Sequence, residues 1–225
     1  MMDKINNGRM VDTLRGVLLV CALAAGIGFS GTTGAALAFS QPPADGNDAF
    51  LSISADQSAD DFTLARNGMV DGLTWWGSYR LDPAGLPADL FQVSIFQDDG
   101  LGNPEISPLN MLTDTATRTP TALLDVTGQT VYQYDLSVTS PFALTGATPY
   151  YLSVVNKFDP NYPDADWFWL LSDTSGSNYN RYAANETWQS FTTGNLAFHI
   201  NVVPEPATLW LFLMGSFLIG LSVKN

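Results

Sequence analysis

Between Phe39 and Val203 the apolar residues recur every second position, and no amphipathic helical period of any length interrupts them. Phe91, Val93 and Ile95 alternate with Gln92 and Ser94; Tyr132, Tyr134, Leu136 and Val138 alternate with Gln133, Asp135 and Ser137. Leu196, Phe198, Ile200 and Val202 alternate with Ala197, His199 and Asn201. A two-residue period puts one face of a strand against a core and the other toward solvent. Further β-rich runs are Leu73 to Tyr79, Tyr150 to Val155, Trp167 to Leu171 and Trp188 to Thr192. Asp82-Pro83, Asp98-Asp99-Gly100, Asn103-Pro104, Gly146 and Ser175-Gly176 punctuate them as turns. Eight or nine short strands predict an all-β chain folded as a single, jelly-roll-like β-sandwich over residues 49–203, with residues 39–48 as a flexible leader.

The two ends are built differently. Lys4, Arg9 and Arg15 precede an uncharged, mostly apolar stretch from Val17 to Phe29, and Ala36-Leu37-Ala38 supplies a small-x-small cleavage site. This is the pattern of a secretory signal peptide over residues 1–38, cut by signal peptidase to leave Phe39 as the first mature residue. Cys21, the only cysteine, falls inside the signal, so the exported part carries no disulfide and no thiol chemistry.

At the other end, Val203-Pro204-Glu205-Pro206-Ala207-Thr208 runs into an uncharged apolar stretch. From Ala207 to Val223, a helix at about 1.5 Å per residue reaches roughly 25 Å, near the lower limit for spanning a hydrocarbon core. Pro206 suits the first turn of such a helix, and Lys224 suits a cytoplasmic flank. This tail resembles the PEP-CTERM sorting signal of bacterial exosortase substrates: the motif Val203, Pro204, Glu205, Pro206, then a membrane helix over 207–223, with Lys224 where the family carries a basic cluster. The resemblance implies transient membrane anchoring, processing near Pro204–Pro206 by an exosortase-type membrane protease, and delivery to the cell surface or extracellular matrix, as in biofilm. The stretches Trp75 to Tyr79, Phe91 to Gly100, Leu144 to Gly146 and Tyr150 to Val154 also resemble, more loosely, β-sandwich ectodomains found upstream of such tails.

Between Phe39 and Val203 stand nineteen acidic and five basic residues. Nucleic acid is excluded as a partner, because phosphate binding needs clustered Lys and Arg. His199 is the only histidine, which leaves no Ser-His-Asp arrangement and no catalytic zinc set. A carboxylate pair remains open, since glycosidases need only two acids. Asp98, Asp99 and Glu105 share one loop, and Asp159, Asp164 and Asp166 another. The first of these, with Asn103 and two glycines, also offers the oxygen ligands that Ca²⁺ prefers, at Asp98, Asp99, Asn103 and Glu105; Asp56, Asp60 and Asp61 offer a second set. Aromatic residues are abundant, and outward-facing rings beside amides and carboxylates are what a sugar stacks on. Trp76, Tyr79 and Trp167 are the candidates for such a polysaccharide-binding face. The sequence therefore favours a non-enzymatic surface or matrix protein over a secreted glycoside hydrolase.

Overall fold

The computed structural model describes residues 34–80, 88–113, 115–157 and 166–203. In chain order the strands are β1 (Ala36–Gln41), β2 (Ala49–Leu51), β3 (Gln57–Thr63), β4 (Gly68–Tyr79), β5 (Phe91–Gln97), β6 (Asn110–Leu112) and β7 (Thr117–Leu124). They continue with β8 (Thr130–Leu144), β9 (Pro149–Asn156), β10 (Trp167–Leu170), β11 (Asn178–Arg181), β12 (Gln189–Phe191) and β13 (Phe198–Val203). The described residues contain no helix long and apolar enough to cross a membrane.

The strands form two antiparallel sheets. In the first, the twelve residues of β4 are the spine. β13 pairs along one side of β4 from Met69 to Trp75, and β10 continues that side from Gly77 to Tyr79. β8 pairs along the other side, with β7 beyond it, while β1 and β2 flank β13 and β10. The second sheet runs β12-β11-β3-β9-β5-β6. Alternation sends Leu73, Trp75, Tyr134, Leu136, Phe198 and Ile200 of the first sheet, and Phe62, Phe91, Val93, Ile95, Leu152 and Val154 of the second, into one shared core. Burial of these side chains, each contributing roughly 1.5–3 kcal/mol, is what holds the two sheets face to face.

The centre of that core is aromatic. Phe91 meets Trp75 edge-on at 5.0 Å, Trp167 at 5.1 Å and Tyr134 at 4.8 Å between ring centroids. Such contacts add about 0.5–1.5 kcal/mol each beyond the area they bury. The Trp167 indole Nε1 finds its acceptor inside, 3.2 Å from the Tyr134 hydroxyl.

Residues 39–48 are not a leader. Phe39, Ser40 and Gln41 pair with Ile200, His199 and Phe198, and the Phe39 ring stacks on Phe198 at 5.2 Å. Asp45 accepts from the Leu124 N–H at 2.9 Å, and Asn47 Nδ2 donates to the Ser172 carbonyl at 2.8 Å. An apolar ring at position 39 and a buried Gln41 amide fasten this segment to the sheet. The strand begins at Ala36, so the expected cleavage residues Ala36 and Ala38 lie within β1.

Candidate functional site

The loop joining β5 to β6 folds back over the outer face of the second sheet, and four side chains of that face pin it. Tyr151 donates its hydroxyl to Asp98 Oδ2 at 2.7 Å, and Tyr179 donates to the Gly102 carbonyl at 2.9 Å. Arg181 donates through Nη1 to the Ile106 carbonyl at 3.0 Å and through Nε to Gln57 Oε1 at 3.0 Å. Trp188 Nε1 donates to the Glu105 carbonyl at 3.2 Å. The Arg181 guanidinium lies over the Trp188 ring, 4.2 Å from its centroid, and burial draws its pKa down to about 10. A cation shielded from water is stabilised here by the ring quadrupole and two carbonyl-type acceptors.

Between this loop and residues 187–188 opens a shallow cleft of about 510 Å³, lined by Asp99, Asn103, Pro104, Glu105, Ile106, Ser107, Thr187 and Trp188. The cleft therefore contains three of the four residues expected to bind calcium. They do not form a cage. Asp99 Oδ1 accepts from the Leu101 N–H at 2.8 Å and the Asn103 N–H at 3.1 Å, and Asp98 Oδ1 accepts from the Gly100 N–H at 2.7 Å. These are the capping bonds of a tight turn, in which Gly100 and Gly102 adopt φ of 84° and 85°. The Leu101 N–H, helped by the Asn103 groups, holds the Asp99 carboxyl below the usual range. Among the described residues no group of three or more His, Cys, Asp or Glu side chains is placed to hold a metal ion. The second acidic set is also dispersed: Asp60 is fully buried, Asp61 follows on the opposite face, and Asp56 accepts from the Asn180 amide.

The three rings expected to stack on sugars are corrected by the structure: Trp76 is 6%, Tyr79 2% and Trp167 0% exposed. Trp167 and Tyr79 face the inter-sheet core. Trp76 does point to the outer face, as alternation with Trp75 demands, but Val131, Leu170, Ala197, Ala49 and Leu123 close over it. Among the described residues the most exposed aromatic ring is Tyr182, directly after Arg181.

Tyr79 instead belongs to a polar cluster that ties the two sheets together. Its hydroxyl donates to Asp89 Oδ1, and Asp89 accepts from Asn156 Nδ2 at 2.7 Å while pairing with Arg118 at 3.0 Å. Arg118 Nη1 also donates to the Tyr79 oxygen at 3.1 Å. Burial raises the Tyr79 hydroxyl and, despite these partners, the Asp89 carboxyl above their ordinary values. Arg118 and Asn156 carry no sequence pattern that announces this role. Of the second acidic loop, Asp159 and Asp164 lie outside the described residues, and Asp166 sits 3.8 Å from Arg80. In the sorting motif, Val203 closes β13 opposite Met69, while Pro204, Glu205, Pro206 and the apolar run lie outside the described residues.

Two antiparallel sheets around one aromatic core define an all-β sandwich protein. The chain belongs to the family described as a domain of unknown function, DUF7901, whose model matches residues 37–212. No curated protein matches the chain.

Proposed function

We propose that this chain is an exported, non-enzymatic surface or extracellular-matrix protein. Residues 1–38 serve as a signal peptide removed by signal peptidase, and residues 204–225 as a PEP-CTERM-type sorting signal. The helix over 207–223 anchors the chain in the membrane until an exosortase-type protease acts beside it, after which the domain reaches the surface or the matrix. The sandwich, jelly-roll-like in connectivity, is the presented module.

The observation that best supports this reading is the pairing of Ala36 with Val202. The first and last described strands thus lie side by side, with the start of β1 beside the end of β13. In the cleft beside Trp188, Asp99, Glu105, Asn103, Ser107 and Thr187 offer acceptors and donors to the hydroxyls of a glycan, and Pro104 and Ile106 offer apolar contact. The competing glycosidase reading draws little support, because Asp98 and Asp99 are engaged by turn N–H groups and Tyr151.

Mass analysis of the mature protein from its native host tests the reading. A chain beginning at Phe39 and ending within the Pro204–Pro206 stretch is expected; intact termini at both ends would overturn it. Deletion of Thr208 to Asn225 is expected to change the destination of the protein, and a glycan array on the mature domain tests the ligand.

A further inference from the structure

Alternation along β10 sends Trp167 and Trp169 into the inter-sheet core and turns Phe168 to the outer face of the first sheet, between Ser78 of β4 and Leu51 of β2. There Phe168 is half-buried, and with Val126, Arg80, Asp48, Asp125 and Thr127 it lines a pocket of about 280 Å³. The pocket shares no residue with the cleft beside Trp188, which opens on the second sheet.

Its walls are set by the fold. The Gly46 N–H donates to the Leu124 carbonyl and the Val126 N–H to the Asn47 carbonyl, both at 2.8 Å, and the Leu171 N–H donates to the Asp48 carbonyl at 2.9 Å. Asp125 is 9% exposed. Its Oδ1 accepts from the Thr127 N–H, the Thr127 hydroxyl and the Gln129 N–H at 2.9, 2.7 and 2.9 Å, and its Oδ2 accepts from the Ser78 hydroxyl at 2.7 Å. A carboxylate oxygen has room for two donors, so Oδ2 can take one more. Asp48 Oδ1 accepts from the Ala49 N–H at 2.8 Å, which fixes a second carboxyl at the rim. The Arg80 side chain is 68% exposed and stands 3.8 Å from Asp166, too far for a hydrogen bond, so its guanidinium fork is open to a ligand.

Charges of both signs thus surround one aromatic ring. A ligand with net positive charge meets Arg80, and one with net negative charge meets Asp48 and Asp125. A purely apolar ligand takes water from all three charges and returns nothing. A neutral sugar ring answers every group together: its C–H face lies on Phe168 beside Val126, some hydroxyls donate to Asp48 and to Asp125 Oδ2, and others accept from Arg80. The volume is at the small end for ligand pockets, which suits one ring of a longer chain. We infer that this pocket binds a neutral hexose residue of a polysaccharide, with Phe168 as its platform and Asp125 and Arg80 as its polar anchors. The inference goes beyond the function proposed above and uses neither the sorting route nor the Trp188 cleft.

The test is isothermal titration of the full-length chain, held in a sugar-free detergent and carrying Ser107→Arg to obstruct the Trp188 cleft. The probes are neutral tetrasaccharides of glucose, galactose and mannose, and at least one is expected to bind. Arg80→Ala, a change at an exposed side chain that leaves the core untouched, is expected to weaken that binding about tenfold through loss of a charged donor. Phe168→Ala is expected to weaken it at least as much, whereas Phe168→Tyr keeps the platform and the affinity. No binding by the Ser107→Arg chain would overturn the inference, as would binding that neither Arg80→Ala nor Phe168→Ala weakens. Binding by the unmodified chain that Ser107→Arg abolishes would place the sugar in the Trp188 cleft instead. Tighter binding of tetragalacturonate, tetraglucosamine or glycine betaine than of every neutral sugar would overturn the ligand class. Intact termini in the native host would overturn the sorting function and leave the pocket's titration as it stands.

Discussion

A Cβ placed on Gly77 would lie 2.4 Å from Cζ2 of Trp167 and 2.5 Å from the Phe168 carbonyl oxygen. Gly77 stands opposite Trp169, one register position along from the Phe168–Ser78 pair, so β10 and its tryptophan ring cross the bare backbone of β4 at this point. The glycine in Trp75-Trp76-Gly77 is the space that the Trp167 indole needs to reach the core. Gly77→Ala is therefore expected to destabilise the sandwich by about 2–3 kcal/mol, the range of an overpacked core. The urea midpoint measures this, and an unchanged midpoint would show that β10 can shift at no cost.

Tyr79 and Asp89 give a second expectation. Asp89 receives Tyr79, Asn156 and Arg118, from three strands that belong to both sheets. Asp89→Ala removes the acceptor shared by a half-buried guanidinium and two buried donors, and is expected to cost about 3 kcal/mol. Tyr79→Phe removes a single hydroxyl and is expected to cost about 1 kcal/mol. Equal losses from the two variants in denaturant melts would mean that the ring, not the network, carries the contribution.

The acidic groups set a pH dependence with a definite sign. Burial raises Asp60 well above its ordinary value, against the hydrogen bond from Leu196 N–H, and burial also raises Asp61 and Asp89. A carboxyl whose folded pKa exceeds its unfolded value favours the folded state fully below the unfolded pKa. That advantage is lost as pH rises through the folded pKa. Asp99, held down by turn N–H groups, acts in the opposite sense; so does Asp125, where bonds from Ser78, Thr127 and Gln129 outweigh its burial. Because Asp60 is the most enclosed of these groups, the melting temperature is expected to fall as pH rises from about 4 toward 7, by roughly 2–4 °C for each kcal/mol lost. In Asp60→Asn the slope over that interval is expected to shrink. A melting temperature that climbs with pH in the wild-type chain would contradict the assignment.

The strands legible in the sequence are those whose buried face is apolar. Phe91-x-Val93-x-Ile95 and Phe198-x-Ile200-x-Val202 fall on β5 and β13 as the period predicts. β3 and β11 escape the same reading because their inward positions are polar: Ser58, Asp60 and Asn178 are each fully buried. Hydropathy alternation vanishes when a carboxyl or an amide replaces the expected aliphatic side chain, and only the Leu196 and Gly194 backbone groups that satisfy them explain the choice. β7 is hidden by Pro120 and by its place at the edge, where neither face is fully covered. For the candidate site, the Asp98–Glu105 loop was legible as a turn, but its docking on Tyr151, Tyr179, Arg181 and Trp188 was not. Those residues lie far from the loop in sequence, and local spacing carries no trace of the meeting. The aromatic rings failed as a guide to the surface for a related reason: period two tells which sheet face a ring takes, not whether a second layer covers that face.

Arg181 and Trp188 supply the last prediction. The guanidinium is clasped between the Trp188 ring and the Phe96 ring at 4.2 and 5.2 Å, and it bonds the carbonyl of Ile106 that begins the far wall of the cleft. Lysine at position 181 keeps a charge but cannot lie flat against an indole, and it cannot serve Gln57 and Ile106 at once from a planar fork. Arg181→Lys is expected to cost about 1–2 kcal/mol, and to speed amide exchange and proteolysis in residues 98–107, because the loop loses a fastening. Trp188→Phe keeps an aromatic face for the arginine and gives up only the Nε1 bond to Glu105, so its effect on the same loop is expected to be smaller. Should the order reverse, the loop would depend on the indole N–H rather than on the stacked cation. The cleft would then be organised from the β12 side instead of from β11.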